Sequence, residues 1–545
     1  MKNASVRAAV LSTVLVASLL GRGLIRASSP TYDEPVHLGA GYTDLVDGRY
    51  RLNAYDHPPL GEMWAALPLL ARSLNRFPLH PAWLEAKVYA FGDLFLYHNR
   101  VPPDDLLGTA RTWNLVTLTL LVAAALVVWA HRLDGAAAAW GAGAALAFCV
   151  PWFSNASLVT TDAPSSALFF AACAVLASPR RTAATWALAG AAAGAALAAK
   201  FNMILLPPLA GFALAAEARA DSSRRPRPAH LALAAAVAAV VLAAVYRFSF
   251  ADLYARGLLA TVFRLSAGRP SFIHGAWSSE GWWWYFPAAV LIKTPLPLLL
   301  VGGLGAGIAL RRRRAEASWL LIPPVGYFVA AMLSRTQIGY RHVLPIYPFL
   351  CLWAGLGASR LWKCGRAGRA VLAVAGSWLA VSASAASPRA LAYVNELALG
   401  HGENWLSDSN LDWGQDLPGL ARQVAARGNP AIVLAYFGSG DPDAYGIRYV
   451  PLVGTTNVER QGNSHLSSSG PFLFAISETH LVGTYYVDHH AFDWLRSRRP
   501  VAVSGGSIFL YDLTSDAEGR GRVAALLGGE GRTGDAAALL VHSTP

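Results

Sequence analysis

Apolar runs of about 18–25 residues recur through the first 390 or so residues of this chain, and each is long enough to cross the ~30 Å hydrocarbon core of a bilayer. Of the 545 residues, 54% are hydrophobic and 14% charged, where soluble proteins carry roughly a quarter charged. Mean hydropathy is +0.36. The sequence therefore reads as a polytopic α-helical membrane protein. The first run, residues 8–25, follows Lys2 and Arg7 as a signal peptide would. Arg22 and Arg26 stand where a cleavage site needs small neutral residues, so an uncleaved first helix is expected.

About eleven transmembrane helices are expected, at roughly 8–27, 111–131, 136–154, 162–178, 183–200, 201–217, 229–246, 284–310, 316–333, 341–358 and 370–387. With the N-terminus cytoplasmic, alternation puts four basic groups inside: Arg180-Arg181, Arg219/Arg224/Arg225/Arg227, Arg311 to Arg314, and Arg360/Lys363/Arg366/Arg369. The positive-inside rule asks for this. The formal net charge of +12 thus reports topology in a bacterial inner membrane and not a nucleic-acid partner. None of the four cysteines follows Cys364, and no Cys/His spacing suits a metal.

Residues 1–388 form the expected membrane domain, with a long first outer loop at 28–110 and a second at 247–283. In the first loop, "LGEMWAALPLLARSLNRF" sets Trp64, Leu67, Leu70 and Leu74 on one helical stripe, expected along the membrane surface. The second carries Arg247, Arg256, Arg264 and Arg269 against Asp252 and Glu280. Either the charge rule is noisy here or an external anion is held. Residues 389–545 turn to mixed polar and apolar sequence and read as an extracytoplasmic α/β domain. "AIVLAYFGSGD", "PFLFAIS" and "SIFLYDL" read as strands, and "LPGLARQVAARG" as a helix ending at Gly428.

This topology gathers ionisable residues at one face. Asp33, Glu34, His37, Asp56 and His57 lie in the first outer loop, with Arg111 beside it. Asp162 opens the fourth span, Lys200 ends the fifth, Lys293 lies about ten residues inside the eighth, and Arg341-His342 open the tenth. Each has an ordinary role available. Asp33 ahead of Pro35, and Asp56 ahead of Pro58-Pro59, fit helix N-caps. Histidines are common in loops, Asp162 can cap its own span, and Arg111 and Arg341 can snorkel to headgroups. A charge held at a span's centre costs about 2.5–3.5 kcal/mol and faces a cavity or partner. Collected on one side, these groups suit displacement of a lipid-linked phosphate. The phosphate of a polyprenyl phosphosugar leaves without a general acid, and Arg111, Lys200, Lys293 or Arg341 could stabilise its growing charge. An acceptor hydroxyl needs a carboxylate base, for which Asp33 is the candidate. Asp33 and Glu34, adjacent in extended backbone, point opposite ways. One is expected at the reaction and the other at holding the loop, while His37, Asp56, His57 and His342 bind substrate or structure the loop.

Asp33-Glu34-x-x-His37-x-Gly39 followed by Asp56-His57-Pro58-Pro59-Leu60-Gly61 resembles the first outer loop of the protein O-mannosyltransferase family, C-type glycosyltransferases that use polyprenyl-phosphate sugars. "TTDAP", "LIKTPLPLLL", "GYRHVLPIYPF" and "DSNLDWGQDLPGLARQ" look like later parts of bacterial members. The resemblance implies the C-type glycosyltransferase fold. It also implies an inverting transfer of mannose or another hexose or pentose to an acceptor hydroxyl outside the cytoplasm. Asp33 would be the base, with Asp162 a second acidic position that also recurs in the lipid A aminoarabinose transferases. Arg111 would meet the donor phosphate. No cofactor is expected, and a divalent metal is not indicated. The large β-trefoil of eukaryotic protein mannosyltransferases has no room between Arg247 and Trp283. The acceptor is therefore open between protein, glycan and glycolipid. Asp408, Asp412 and Asp416 recur every four residues and read as a helix-start and turn cluster before a calcium loop. Two other classes stand beside this reading: a transporter or flippase, whose sites lie nearer the midplane among internal repeats, and a non-catalytic membrane scaffold.

Overall fold

The computed structural model describes residues 2–541 except 250, 313, 453–457, 459 and 469. Arg313 of the third basic group and the last four residues of the 389–545 range lie outside the described residues. Among the described residues, seven helices are long and apolar enough to cross a membrane: Ala4–Ala27, Pro103–Ala147, Phe201–Ala220, Pro228–Val245, Ala315–Met332, Tyr340–Lys363 and Gly365–Arg389. The pair Tyr285–Lys293 and Leu296–Leu310 makes an eighth if it is one span. The chain is an integral membrane protein.

The expected spans at 111–131 and 136–154 correspond largely to two helices within Pro103–Ala147, which meet at a kink where Asp134 and Gly135 leave helical backbone (Gly135 φ 75°). Two other expected spans are shorter. Asp162–Leu176 and Ala183–Ala199 are apolar but have only 15 and 17 residues, which at 1.5 Å per residue falls short of ~30 Å.

The two helices of the eighth pair meet at 118°. A residue before proline is pushed off helical backbone, and Thr294, ahead of Pro295, is extended at φ −103°, ψ 132°. Carbonyls orphaned at that helix end find outside donors. The Asn395 side chain donates to the Leu291 and Thr294 carbonyls at 2.5 and 2.8 Å, and its N–H to that of Ile292 at 2.8 Å. A residue of the segment after the last span therefore seals a break within the bundle.

Within 28–110, helices Glu34–Val46, Leu60–Ala66 and Val88–Tyr97 share a core of Leu38, Leu52, Leu69, Phe91 and Phe95. The expected surface stripe is only partly helical. Pro68 tightens the chain into a 3-10 turn over Leu67–Ala71, and Leu74 turns into the loop's own core. The next loop forms a helix, Ala251–Ala267, and a hairpin of β1 (Ser271–Ile273) and β2 (Ala276–Ser278). Three of its arginines are used within the protein. Arg264 ion-pairs with Asp56, Arg247 donates to the Asp44 and Leu45 carbonyls at 3.2 and 2.9 Å, and Arg256 meets Asp252 at 3.2 Å.

The C-terminal domain holds a five-stranded sheet of β3 (Ile432–Ala435), β4 (Tyr449–Pro451), β5 (Leu473–Ser477), β6 (Ala502–Ser504) and β7 (Ile508–Asp512), in the order β4-β3-β5-β7-β6. β3 runs parallel to β4 and β5, while β7 is antiparallel to β5 and β6. Successive side chains enter opposite faces. Val433, Phe474 and Ile476 meet Val523 and Leu527, while Leu434, Leu473 and Leu510 meet Leu417 and Leu420 of helix Leu417–Ala425. Burial on both faces explains why these strands read as continuous apolar runs. The stretch before the sheet packs elsewhere: Ala390, Leu391, Leu406, Leu411 and Trp413 belong to the core of the helical bundle.

Candidate functional site

Four ionisable side chains meet where helices begin or end. Asp33 precedes helix Glu34–Val46, and Asp162 is the first residue of Asp162–Leu176. Lys200 is an extended residue between Ala183–Ala199 and a 3-10 turn, and Arg341 lies in the 3-10 turn Tyr340–Ile346. Each can therefore present its side chain past the end of a rigid element. Arg341 Nη1 stands 3.5 Å from Asp162 Oδ2 and 3.8 Å from Asp33 Oδ2, and Lys200 ion-pairs with Asp162 Oδ1. The Asp162 side chain is only 2% exposed, whereas that of Asp33 is 26% exposed. One acid is enclosed by cations; the other is open to a reactant.

The C-terminal domain fixes the guanidinium. Arg341 Nε donates to Ser409 Oγ at 3.0 Å, and the guanidinium carbon lies 4.1 Å from the centre of the Trp413 ring. Ser409 in turn donates to the Ile338 carbonyl at 2.7 Å, and the Tyr340 N–H donates to Asn410 Oδ1 at 2.9 Å. The approach is so close that a Cβ at Gly339 would fall 2.2 Å from Ser409 Oγ.

Asp33 occupies the expected N-cap position with proline in the first turn, but its side chain makes no capping hydrogen bond. Its backbone, at φ −94° and ψ −17°, is already helical, which turns the carboxylate away from the helix's first N–H groups. The capping expectation is corrected, and the carboxylate is left free to face Arg341.

Glu34 is fully buried and holds the loop. Its two oxygens accept from Arg111 Nε at 2.8 Å and Nη2 at 2.5 Å, the Thr31 N–H at 2.8 Å and hydroxyl at 3.0 Å, and the Val159 N–H at 2.8 Å. Arg111 spends its remaining reach on the Ser28 and Ser29 carbonyls, at 3.0 and 2.9 Å. Glu34 and Arg111 thus pair with each other beside the Asp33 cluster, and Glu34 is the one of the two adjacent acids that holds the loop. Lys293 is likewise engaged elsewhere. Its ammonium donates to the Leu391 carbonyl at 2.8 Å and to that of Asn410, with the Tyr340 ring 5.1 Å away, and so ties the bent pair to the C-terminal segment.

The histidines form a flank. His37 Nδ1 lies 2.7 Å from Glu62 Oε1, which also accepts from Asn53, and the His37 and His57 rings meet edge to face at 5.0 Å. Burial alone would push His37 down, but the Glu62 carboxylate outweighs it and holds the ring above its ordinary value. Burial pushes His57 well below its ordinary value, and the nearby His37 and Lys200 charges add to this. His57 Nδ1 is 3.4 Å from Thr161 Oγ1, next to Asp162. The His342 carbonyl accepts from Tyr327 at 3.1 Å, while its ring Nε2 is buried without a partner. Asp56 is half-exposed and pinned by Arg264, outside the cluster.

Sequence reading missed Glu62, Asn53, Ser409 and Trp413. Glu62 could have been found from its place just after Asp56-His57-Pro58-Pro59 on a short helix. Ser409 and Trp413 sit in "DSNLDWGQD", singled out for its aspartates instead. Those aspartates serve the loop separately. Asp408 accepts from the Tyr485 hydroxyl, Asp412 from the Thr479 and Gly414 N–H groups at 3.1 and 3.2 Å, and Asp416 from Ser507 at 2.7 Å. Among the described residues no group of three His, Cys, Asp or Glu side chains is placed to hold a metal ion.

Burial pushes Asp412 up to about 8 and Asp416 up to about 7. A carboxyl raised on folding binds its proton more tightly in the native state, so the stability it contributes fades as pH rises from the unfolded value near 3.9 through the folded one. The full chain is expected to melt at a lower temperature at pH 8 than at pH 5, and Asp412→Asn to narrow that difference. Thermal melts followed by tryptophan fluorescence test this; an unchanged difference in Asp412→Asn removes Asp412 as its source.

No family model and no curated protein matches this chain. Among solved structures it is similar to ArnT from Cupriavidus metallidurans in the apo state, at 15% identity over 92% of this chain and 97% of that one, with a TM-score of 0.49. The same protein bound to undecaprenyl phosphate gives 16% identity, the same coverage and a TM-score of 0.49. The Archaeoglobus fulgidus oligosaccharyltransferase in the apo form gives 13% identity over 84% of this chain and 61% of that one, with a TM-score of 0.47. Likenesses this distant carry no conclusion about chemistry.

Proposed function

We propose that this chain is a C-type membrane glycosyltransferase that moves a sugar, with inversion, from a polyprenyl-phosphate donor to an acceptor hydroxyl on the extracytoplasmic face. The observation that carries the reading is the open Asp33 carboxylate 3.8 Å from a guanidinium that is itself held by Asp162, Ser409 and Trp413. Asp33 takes the proton of the acceptor hydroxyl as its oxygen attacks the anomeric carbon. On the opposite side of that carbon the bond to the phosphate oxygen breaks, and polyprenyl phosphate leaves with the electron pair. Lys200 and Arg341 receive the negative charge it gains, an electrostatic contribution made without reorganisation because both are already oriented. Asp162 holds the two cations apart and in place. Glu34, Arg111 and Lys293 act by fixing the loop and the domain junction. A transporter pathway is less well supported, since the four groups gather at helix ends on one side of the bundle.

The test uses membranes containing wild type or Asp33→Asn at equal abundance, incubated with labelled polyprenyl-phosphate sugars. Label passes to an acceptor only with the wild type, and the captured product identifies sugar and acceptor as protein, glycan or glycolipid. Equal transfer by both proteins removes Asp33 as base. In the same assay Arg341→Lys is expected to lose at least about ten-fold. A point-charge ammonium cannot stack on Trp413 and reach Ser409, Asp33 and Asp162 together. Unimpaired transfer by Arg341→Lys would show that charge alone suffices there.

A further inference from the structure

A cavity apart from the Asp33 cluster lies between helices Lys2–Ala27 and Pro103–Ala147. Its volume is about 1140 Å³, beyond the ~300–1,000 Å³ of ordinary small-molecule pockets. Leu15, Leu19 and Val116 line it and are otherwise exposed, which makes this flank apolar. Arg22, Arg26, Asp104 and Asp105 line its other end, all exposed, and none is in an ion pair among the described residues. From Leu15 to Arg26 the helix rises about 16 Å at 1.5 Å per residue, close to half of the ~30 Å hydrocarbon core. The groove is one leaflet deep, with its charges at one end.

A second observation points to an occupant. Ser28 lines the groove with its side chain more than nine-tenths buried, and its Oγ has no hydrogen-bond partner. Trp113 Nε1 and Ser18 Oγ, also on the lining, are buried and unpartnered too. A buried polar group left unmade costs about 1–3 kcal/mol. Three such donors around one groove call for a ligand rich in acceptor oxygens. Arg26 at the end of its helix and the aspartates at the start of theirs each suit a helix dipole. That accounts for neither the unpaired Arg22 nor the orphaned hydroxyls and indole.

We propose that this groove is a binding site for one bilayer glycerophospholipid whose head carries a phosphate followed by a primary ammonium. Acyl chains lie along Leu15, Leu19 and Val116. The phosphate oxygens accept from Arg22 and Arg26 and from the Ser28 and Trp113 donors. The ammonium donates to Asp104 and Asp105. A purely anionic head would meet the two aspartates with like charge, and a one-leaflet groove fits an ordinary phospholipid better than a long polyprenyl chain. The site is independent of the sugar-transfer reading.

Native mass spectrometry of the purified full chain tests it. The protein is offered phosphatidylethanolamine, phosphatidylglycerol and undecaprenyl phosphate in turn. Phosphatidylethanolamine is expected to be retained over phosphatidylglycerol by about five-fold, the size of one or two exposed ion pairs. Arg22→Gln/Arg26→Gln removes that retention, and Asp104→Asn/Asp105→Asn abolishes the preference between heads. Ser28→Ala, which deletes only the unpartnered hydroxyl, weakens retention. Retention of phosphatidylethanolamine unchanged in Arg22→Gln/Arg26→Gln and in Ser28→Ala overturns the site. Equal retention of the two phospholipids by the wild type overturns the ammonium contact. Preferential retention of undecaprenyl phosphate overturns the choice of occupant.

Discussion

Asp33→Asn is expected to lower sugar transfer by about 10²–10⁴-fold, the usual loss when a positioned base is removed. Asparagine keeps the size of the side chain and cannot take a proton. The structure makes this substitution informative, because the Asp33 side chain caps nothing and is partly open. Abundance and melting temperature are therefore expected to match the wild type, which confines the loss to chemistry. The loss should fall on kcat, with the donor KM changing little, since Arg341 and Lys200 remain in place to meet the phosphate. A raised donor KM with kcat retained would instead make Asp33 part of the donor-binding surface. Purified protein and a titration of labelled donor separate the two.

Glu34→Gln, one residue along, is expected to fail differently. It removes the charge from a carboxylate that is wholly buried and holds Arg111, Thr31 and Val159. Arg111 would then be an unpaired charge in the interior, and breaking such a pair from one side costs about 3–5 kcal/mol. The expected result is a sharp fall in folded protein, read as abundance in membranes and as melting temperature, with transfer per folded molecule much less affected. Replacing both partners, Glu34→Met with Arg111→Met, should recover part of the lost stability, because neither charge is then stranded. A Glu34→Gln protein that folds normally and is inactive would place Glu34 at the reaction after all. The pair of substitutions separates two adjacent acids that the sequence alone could only divide in principle.

Much of the architecture was legible because membrane and sheet impose simple periodicities. Long apolar runs located the helices, and the runs at 431–441, 471–477 and 507–513 located β3, β5 and β7. What one-dimensional reading could not supply was helix length at breaks. Proline at 295 bends a pair of helices, and Asp134-Gly135 breaks the helix at 103–147 into two. Among the site residues, topology placed Asp33, Asp162, Lys200 and Arg341 on one side, and the structure brings those four together. It could not say which cations were already committed. Arg111 and Lys293 looked as available as Arg341, because their partners are Glu34 and backbone carbonyls whose direction no sequence pattern encodes. The support under Arg341 was hidden for a related reason. Ser409 and Trp413 lie about 70 residues further along the chain, and only long-range folding brings them beneath it.

That separation sets an order of events during synthesis. Chains fold broadly from the N-terminus as they emerge. The loop carrying Asp33 and the helices carrying Asp162, Lys200 and Arg341 are therefore all made before the serine and indole that fix the guanidinium. Until the ribosome has passed Trp413, the nascent chain holds every charged group of the cluster and only the ion pairs to Asp162 and Asp33 to keep Arg341 in register with them. The cluster is therefore completed late in synthesis, and a chain interrupted before Trp413 lacks the support that fixes its guanidinium.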